Sequence, residues 1–215
     1  MLPDYIIRAY KEIPQDCPVS VLIRHSIRYP INSEAEIWTA GLTKEGKELA
    51  CELGNWLNQD FTIKRIETSP ILRCIDTGRF ISSVLTDSVE VIPVDILAHP
   101  NENGEYDSFD EYFPTSKWPN RIQEIAAYLV PNGYHKNGLN LFISHDTTLV
   151  TMVGYWLQKD FRDLSIWPNY LEPFFLWWQD DQLISRFRDE QIVVNQVLEQ
   201  QPISSLYLPR IENIN

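Results

Sequence analysis

Two histidines, three arginines and an aspartate stand in this sequence where apolar runs end: Arg24-His25-Ser26-Ile27-Arg28, Arg73, and His145-Asp146. A guanidinium presents a fixed fork of N–H donors, so two arginines with a histidine between them make a site ready for an anion with several oxygens. Each piece also has a plainer account. The first could be a basic loop, Arg73 a surface arginine paired with Asp76 or Asp110, His145 a structural residue at a strand end, and Asp146 a helix N-cap. What joins them is position.

Residues 17–23 form a short aliphatic run between Pro18 and Pro30, which reads as a buried strand ending at the first cluster. Residues 31–40 read as a polar-aromatic loop. Leu42-Thr43-Lys44-Glu45-Gly46 opens a helix, with Thr43 as N-cap, Glu45 favouring the positive dipole end, and an apolar face through Leu49, Ala50, Leu53, Trp56 and Leu57. The run 58–60 ends it, and 61–66 reads as the next strand. Ser69-Pro70 then gives an N-cap followed by proline at the first helical position, so a helix over 70–84 places Arg73 in its first turn. Residues 89–94 read as a short strand, and 118–130 as a helix closed by Pro131-Asn132-Gly133. Residues 139–144 form a second buried strand ending at His145, with Asp146 or Thr147 as the natural cap of the helix that follows. Residues 172–178 and 182–188, joined by Asp180-Asp181, read as an aromatic hairpin. Trp177 and Trp178 must point to opposite faces of it, so one is core and the other partly exposed, the only hint of an interface. The oligomeric state is not set. The tail from 189 is weakly patterned.

Alternating strands and helices imply an α/β fold, a three-layer sandwich whose mainly parallel central sheet is flanked by helices, with the aromatic hairpin added near the C-terminus. All three junctions then fall on one edge of the sheet.

The composition narrows the partners. The 215 residues suit one domain spanning 1–215, with 44% hydrophobic and 12% aromatic residues. A formal net charge of −12 argues against nucleic acid, because that affinity rests on basic residues neutralising phosphates. Local arginines in an acidic protein point instead to a small anion. Cys17, Cys51 and Cys74 show neither paired nor zinc-type spacing, so no disulfide framework and no metal site is expected. Residues 1–20 mix charges into the apolar positions and offer no secretory core. No run approaches the ~20 apolar residues of a membrane span. A cytoplasmic protein with no membrane partner and no cofactor is expected.

The pattern fails from 95 to 118, where Glu102, Glu105, Asp107, Asp110 and Glu111 interleave with Tyr106, Phe109, Tyr112 and Phe113. A loop of that length in a compact domain is functional or wrongly assigned, and it reads as a flap over the site. Its carboxylates and aromatic rings suit a leaving group that is neutral or cationic and has an apolar face.

Four separated pieces, in order, resemble the histidine phosphatase superfamily, which includes phosphoglycerate mutases and histidine acid phosphatases. They are Arg24-His25-Ser26-Ile27-Arg28-Tyr29-Pro30, Leu42-Thr43-Lys44-Glu45-Gly46, Ser69-Pro70-Ile71-Leu72-Arg73 with Thr77, and Ser144-His145-Asp146-Thr147-Thr148-Leu149. The resemblance implies a phosphoglycerate mutase-like fold and a phosphohistidine on His25. It also implies a phosphate cage of Arg24, Arg28, Arg73 and His145. Asp146 is the implied proton donor of acid-phosphatase type, with Glu102 or Glu105 as the mutase-type alternative. Ser26 stands where the family usually has glycine, and its hydroxyl could bond the phosphoryl group. The implied partner is a small-molecule phosphate ester, and the implied reaction is metal-independent phosphomonoester hydrolysis. A phosphomutase or a non-catalytic phospho-ligand-binding module fits the same residues. Hydrolysis is favoured, because no arginine or lysine lies between residues 95 and 116 to clasp a second anionic group.

Overall fold

In the computed structural model, which describes residues 1–98, 120–131, 137–160 and 163–194, a seven-stranded sheet forms the middle layer. Strands β1 (Pro18–Arg24), β2 (Ile63–Thr68), β3 (Val91–Pro93) and β4 (Gly138–Ser144) run parallel. Strands β5 (Pro173–Gln179), β6 (Gln182–Phe187) and β7 (Glu190–Val193) follow antiparallel, giving the order β3-β2-β4-β1-β5-β6-β7.

The strands alternate their cores with the pleat. Val19, Val21 and Ile23 of β1, Leu139, Leu141 and Ile143 of β4, and Phe175 and Trp177 of β5 face helices α1 (Asp4–Lys11), α3 (Lys44–Asp60) and α4 (Leu72–Ser82). Leu22, Phe142, Phe174 and Leu176 face the opposite way, toward α5 (Asn120–Leu129) and α6 (Asp146–Leu157). Burial on both faces is why β1 and β4 read as mostly apolar runs, interrupted by buried Ser20 and Asn140. Helix α6 is buried all round from Thr147 to Leu157, as an apolar helix must be. The described residues thus form the expected three layers. No helix among them is long and apolar enough to cross a membrane.

Several local expectations shift. The loop expected at 31–40 contains a short helix, α2 (Glu34–Thr39), too brief to show a period of its own. The second strand begins at Ile63, because the Phe61 N–H still closes α3 on the Leu57 carbonyl at 2.9 Å, and it continues to Thr68. Helix α4 starts at Leu72 and not at Pro70, because Ser69 is drawn into the sheet ladder by its N–H on the Ile143 carbonyl at 2.8 Å. The Thr43 cap is present, accepting the Gly46 N–H at 3.0 Å.

The hairpin turn has Asp180 at φ 48 and Asp181 at φ 61, the two left-handed residues of a tight turn matching strand twist. Trp177 is core, whereas half-buried Trp178 donates its indole N–H to the Pro131 carbonyl at 3.0 Å. Trp178 is thus the partly exposed member of the pair, as expected. Strand β7 emerges from the tail that carried little pattern. Of the expected flap, Asp95–Leu97 is a 3₁₀ turn with Leu97 fully buried, its carbonyl accepting the Ser144 hydroxyl at 2.7 Å. Residues 99–119, with Glu102 and Glu105, lie outside the described residues.

Gly46 explains the glycine in the second motif. A Cβ there would overlap the Ile27 carbonyl, which must come close because it accepts the Thr43 N–H at 3.0 Å. A Gly46→Ala variant is therefore expected to lose about 2–3 kcal/mol of stability, an overpacking cost that backbone cannot relieve by changing rotamer. A fall in the urea midpoint at unchanged slope checks it.

Candidate active site

The topology brings the junctions together. Strand β4 lies between β1 and β2, with Arg24 level with Ser144 and Thr68 level with Ile143. The ladder runs one residue further on both sides, through the His25 N–H on the Ser144 carbonyl (2.9 Å) and the Ser69 N–H on the Ile143 carbonyl (2.8 Å). His25, His145 and Ser69 therefore stand abreast at the carboxyl edge, where such sheets open a crevice.

His25 is buried, 2% exposed. Its Nδ1 lies 2.7 Å from the Ser26 carbonyl, which can only accept, so Nδ1 carries the proton. Nε2 is then the bare nitrogen, and it accepts from Arg73 Nε at 3.1 Å. Arg73, also buried, donates Nη2 to His145 Nδ1 at 3.1 Å and Nη1 to the Ile37 carbonyl of α2 at 2.5 Å. Because a guanidinium cannot accept, His145 Nδ1 is bare as well, and its Nε2 faces the Ser69 hydroxyl at 2.9 Å. The two imidazoles meet edge to face with centroids 5.6 Å apart. One guanidinium thus ties both rings together.

Arg24 stands beside this chain. Its Nη2 pairs with Asp146 at 2.7 Å, its Nη1 donates to the Pro168 carbonyl at 2.8 Å, and its guanidinium carbon lies 4.2 Å from the Tyr170 ring centroid. Arg24 Nε is buried without a hydrogen-bond partner among the described residues. Asp146 is the first residue of α6, with His145 in the cap position, so it is not itself the cap; its second oxygen accepts the Thr147 N–H at 2.9 Å. Half-buried Arg28 donates to the Tyr29 carbonyl at 2.9 Å and reaches His25 only through its charge.

Ser26 departs from expectation. Fully buried, its hydroxyl donates to the Gly46 carbonyl at 2.7 Å and its N–H to the Thr77 hydroxyl at 3.0 Å, locking the His25 loop to α3 and α4. Its single hydroxyl proton is committed away from the edge, so Ser26 is a packing residue and not a phosphoryl donor. Ser69 goes the other way. Expected as a helix cap, it accepts the Ile71 N–H at 3.3 Å ahead of the helix and also meets His145, which the Ser-Pro pattern does not announce. Tyr170 lies in a turn with no pattern to announce it. Glu67 stands near the same edge but is held by Arg65 and by the Tyr128 hydroxyl at 2.6 Å. Cys74, against the His145 ring at 3.7 Å, has its thiol pushed up to about 12 by burial and stays protonated.

The electrostatics favour a neutral His25. Burial lowers its proton affinity well below the usual histidine value; the Ser26 carbonyl opposes this, and the charges of Arg73, Arg24 and Arg28 reinforce it. An unfolded chain takes up a proton near pH 6.5 that the folded chain refuses, so this residue costs stability only as pH falls below that value. Above it, both states are neutral and the contribution vanishes. Stability is therefore expected to drop on acidification below about pH 6.5, and less steeply in a His25→Gln variant. Urea titrations of both proteins between pH 4.5 and 7.5 check the sign; parallel curves would refute it.

No family model matches this chain, and no curated protein matches it in sequence. Solved structures do. The protein histidine phosphatase SixA complexed with tungstate superposes with a TM-score of 0.51 at 16% identity, over 83% of this chain and 99% of that one. Phosphoserine phosphatase from Entamoeba histolytica, in complex with 3-phosphoglyceric acid, gives 0.57 at 14% identity over 80% and 98%. Phosphoglycerate mutase from Bacillus anthracis gives 0.55 at 15% over 80% and 93%. The chain carries the fold of the histidine phosphatase superfamily, the group its four sequence motifs resemble.

Proposed function

We propose that the protein is a phosphomonoesterase acting through a phosphohistidine on His25. The observation that carries this reading is the bare, neutral Nε2 of a buried histidine, its tautomer set by the Ser26 carbonyl, directly beside the Arg73 guanidinium. Such a nitrogen is a nucleophile at neutral pH, and the neighbouring cation is placed for the anion it attacks.

In the first step Nε2 gives its electron pair to phosphorus and the bond to the ester oxygen breaks. Asp146, released from Arg24 as the phosphoryl group takes that guanidinium and entering the step with a proton, passes it to the leaving oxygen, while Nδ1–H stays on the Ser26 carbonyl and shares the positive charge. In the second step water attacks phosphorus, its proton goes to the Asp146 carboxylate, and the N–P bond electrons return to Nε2. Arg24 and Arg73 hold the equatorial oxygens, where charge is spread in the transition state, and Arg28 and His145 join them once Arg28 leaves the Tyr29 carbonyl and His145 takes a proton on Nδ1. No step calls on a metal or a cofactor. Neighbours of the same fold bind tungstate and 3-phosphoglyceric acid, which suits a small phosphate ester here.

The test is release of inorganic phosphate from a generic aryl phosphate in EDTA, with an acid-labile, base-stable phosphoenzyme trapped by rapid quench. Phosphate found on an added phosphorylated acceptor and not in solution would replace hydrolysis by transfer. Tight ligand binding with no phosphoenzyme would remove the enzymatic reading.

A further inference from the structure

The turn between residues 167 and 172 holds Arg24 from behind. Its Pro168 carbonyl accepts Arg24 Nη1, its Tyr170 ring lies against the guanidinium, and its Leu171 N–H donates to the Arg24 carbonyl at 3.0 Å. Tyr170 also flanks His25, with ring centroids 5.7 Å apart. This is not a relaxed turn. Leu171 is fully buried at φ 59, a left-handed conformation that a leucine keeps only where its surroundings impose it, and such sites concentrate where function needs a fixed geometry.

The imposing group is Glu172, whose carboxylate is buried. Its Oε2 accepts from Asn169 N at 2.7 Å and Asn169 Nδ2 at 3.1 Å. Arg188 grips the same carboxylate with both ends of its fork, Nε to Oε1 at 2.7 Å and Nη2 to Oε2 at 3.1 Å. That guanidinium also donates to the Trp167 carbonyl at 3.0 Å and the Ser165 carbonyl at 2.5 Å. One side chain beyond the end of β6 therefore fastens the whole approach to the turn.

We infer that Glu172 and Arg188 are positioning residues for the phosphate site, holding the 167–172 turn so that Arg24 and Tyr170 stand against His25. The inference rests on the phosphatase reading above and deepens it. Neither residue touches the reacting atoms; each acts through Arg24. The molecule supplies its own comparison in Arg186, which shares a cleft with Arg188 but pairs with Glu12 after α1, and donates to the Arg188 backbone carbonyl at 3.1 Å.

The experiment uses the full chain and two readouts, affinity for tungstate by calorimetry and kcat/KM on an aryl phosphate. Arg188→Met and Glu172→Gln are each expected to weaken both by on the order of 10- to 100-fold, the cost of a misplaced binding group. Arg186→Met is expected to stay within about twofold in affinity even where its Tm falls as far, because it leaves both bonds from Arg188 to Glu172 in place. In an Arg24→Ala background, Arg188→Met is expected to add less than about twofold, because the group it positions is gone. Wild-type tungstate affinity in both clamp variants would overturn the inference. So would an equal loss in Arg186→Met, or an undiminished Arg188 effect without Arg24. Tungstate binding needs no turnover, so these affinities still support positioning if the wild-type protein proves unable to hydrolyse esters, a result that would sink only the phosphatase reading.

Discussion

Replacing His25 by alanine is expected to remove turnover of phosphate monoesters, a loss on the order of 10⁴-fold or more, as when the nucleophile of a covalent enzyme is deleted. The residual rate would come from the arginines alone. The fold is expected to survive, because the substitution removes a group whose burial is itself unfavourable to charge and leaves the Ser26–Thr77 and Ser26–Gly46 bonds in place. Arg73 Nε loses its acceptor, at about 1–3 kcal/mol for a donor left unpaired in the interior. Two measurements on one protein make the test specific: no phosphoenzyme is trapped, while tungstate still binds, since Arg24 and Arg73 remain. An alanine variant that turns over normally would place the nucleophile elsewhere.

The strand ends were legible because burial on both faces makes β1 and β4 read as aliphatic runs, and such a run must stop where side chains reach solvent. His25 and His145 therefore announced the sheet edge, and Arg73 followed from its place in the first helical turn. Direction within the edge was not legible. Whether the Ser26 hydroxyl faces a ligand or the Gly46 carbonyl depends on a backbone approach between residues 20 positions apart. Ser69 was misread for a related reason. Ser-Pro is a good capping signal, and the hydroxyl does accept the Ile71 N–H, but the ladder bond to Ile143 sets Ser69 at the sheet edge, where the same oxygen meets His145. Helix α2, which lends its Ile37 carbonyl to Arg73, is a six-residue element with no periodicity to detect. The clamp on the 167–172 turn was invisible because Glu172 and Arg188 flank the hairpin and meet only once β5 and β6 pair. Asp146 was legible from the helix that follows His145, and it stands at the edge beside Arg24, whereas Glu102 and Glu105 lie outside the described residues.

Arg73 carries the second large expectation. Its guanidinium reaches in different directions, to His25 Nε2, His145 Nδ1 and the Ile37 carbonyl. Arg73→Met is expected to lower kcat/KM by about 10²–10³-fold, the usual cost of one donor to transition-state charge and equivalent to about 2.7–4 kcal/mol. The same substitution should also be seen in the pH profile. After burial, Arg73 is the first of the arginines that depress the proton affinity of His25, so removing it moves the acid limb of kcat/KM upward toward the ordinary histidine range. A purely structural loss would scale the profile without moving that limb. Arg73→Lys is expected to recover little, since a single ammonium cannot serve three acceptors arranged around a planar fork. If the lysine variant matched the wild type in rate and pH dependence, a point charge would suffice, and the bridge between the two imidazoles would have no part in the reaction.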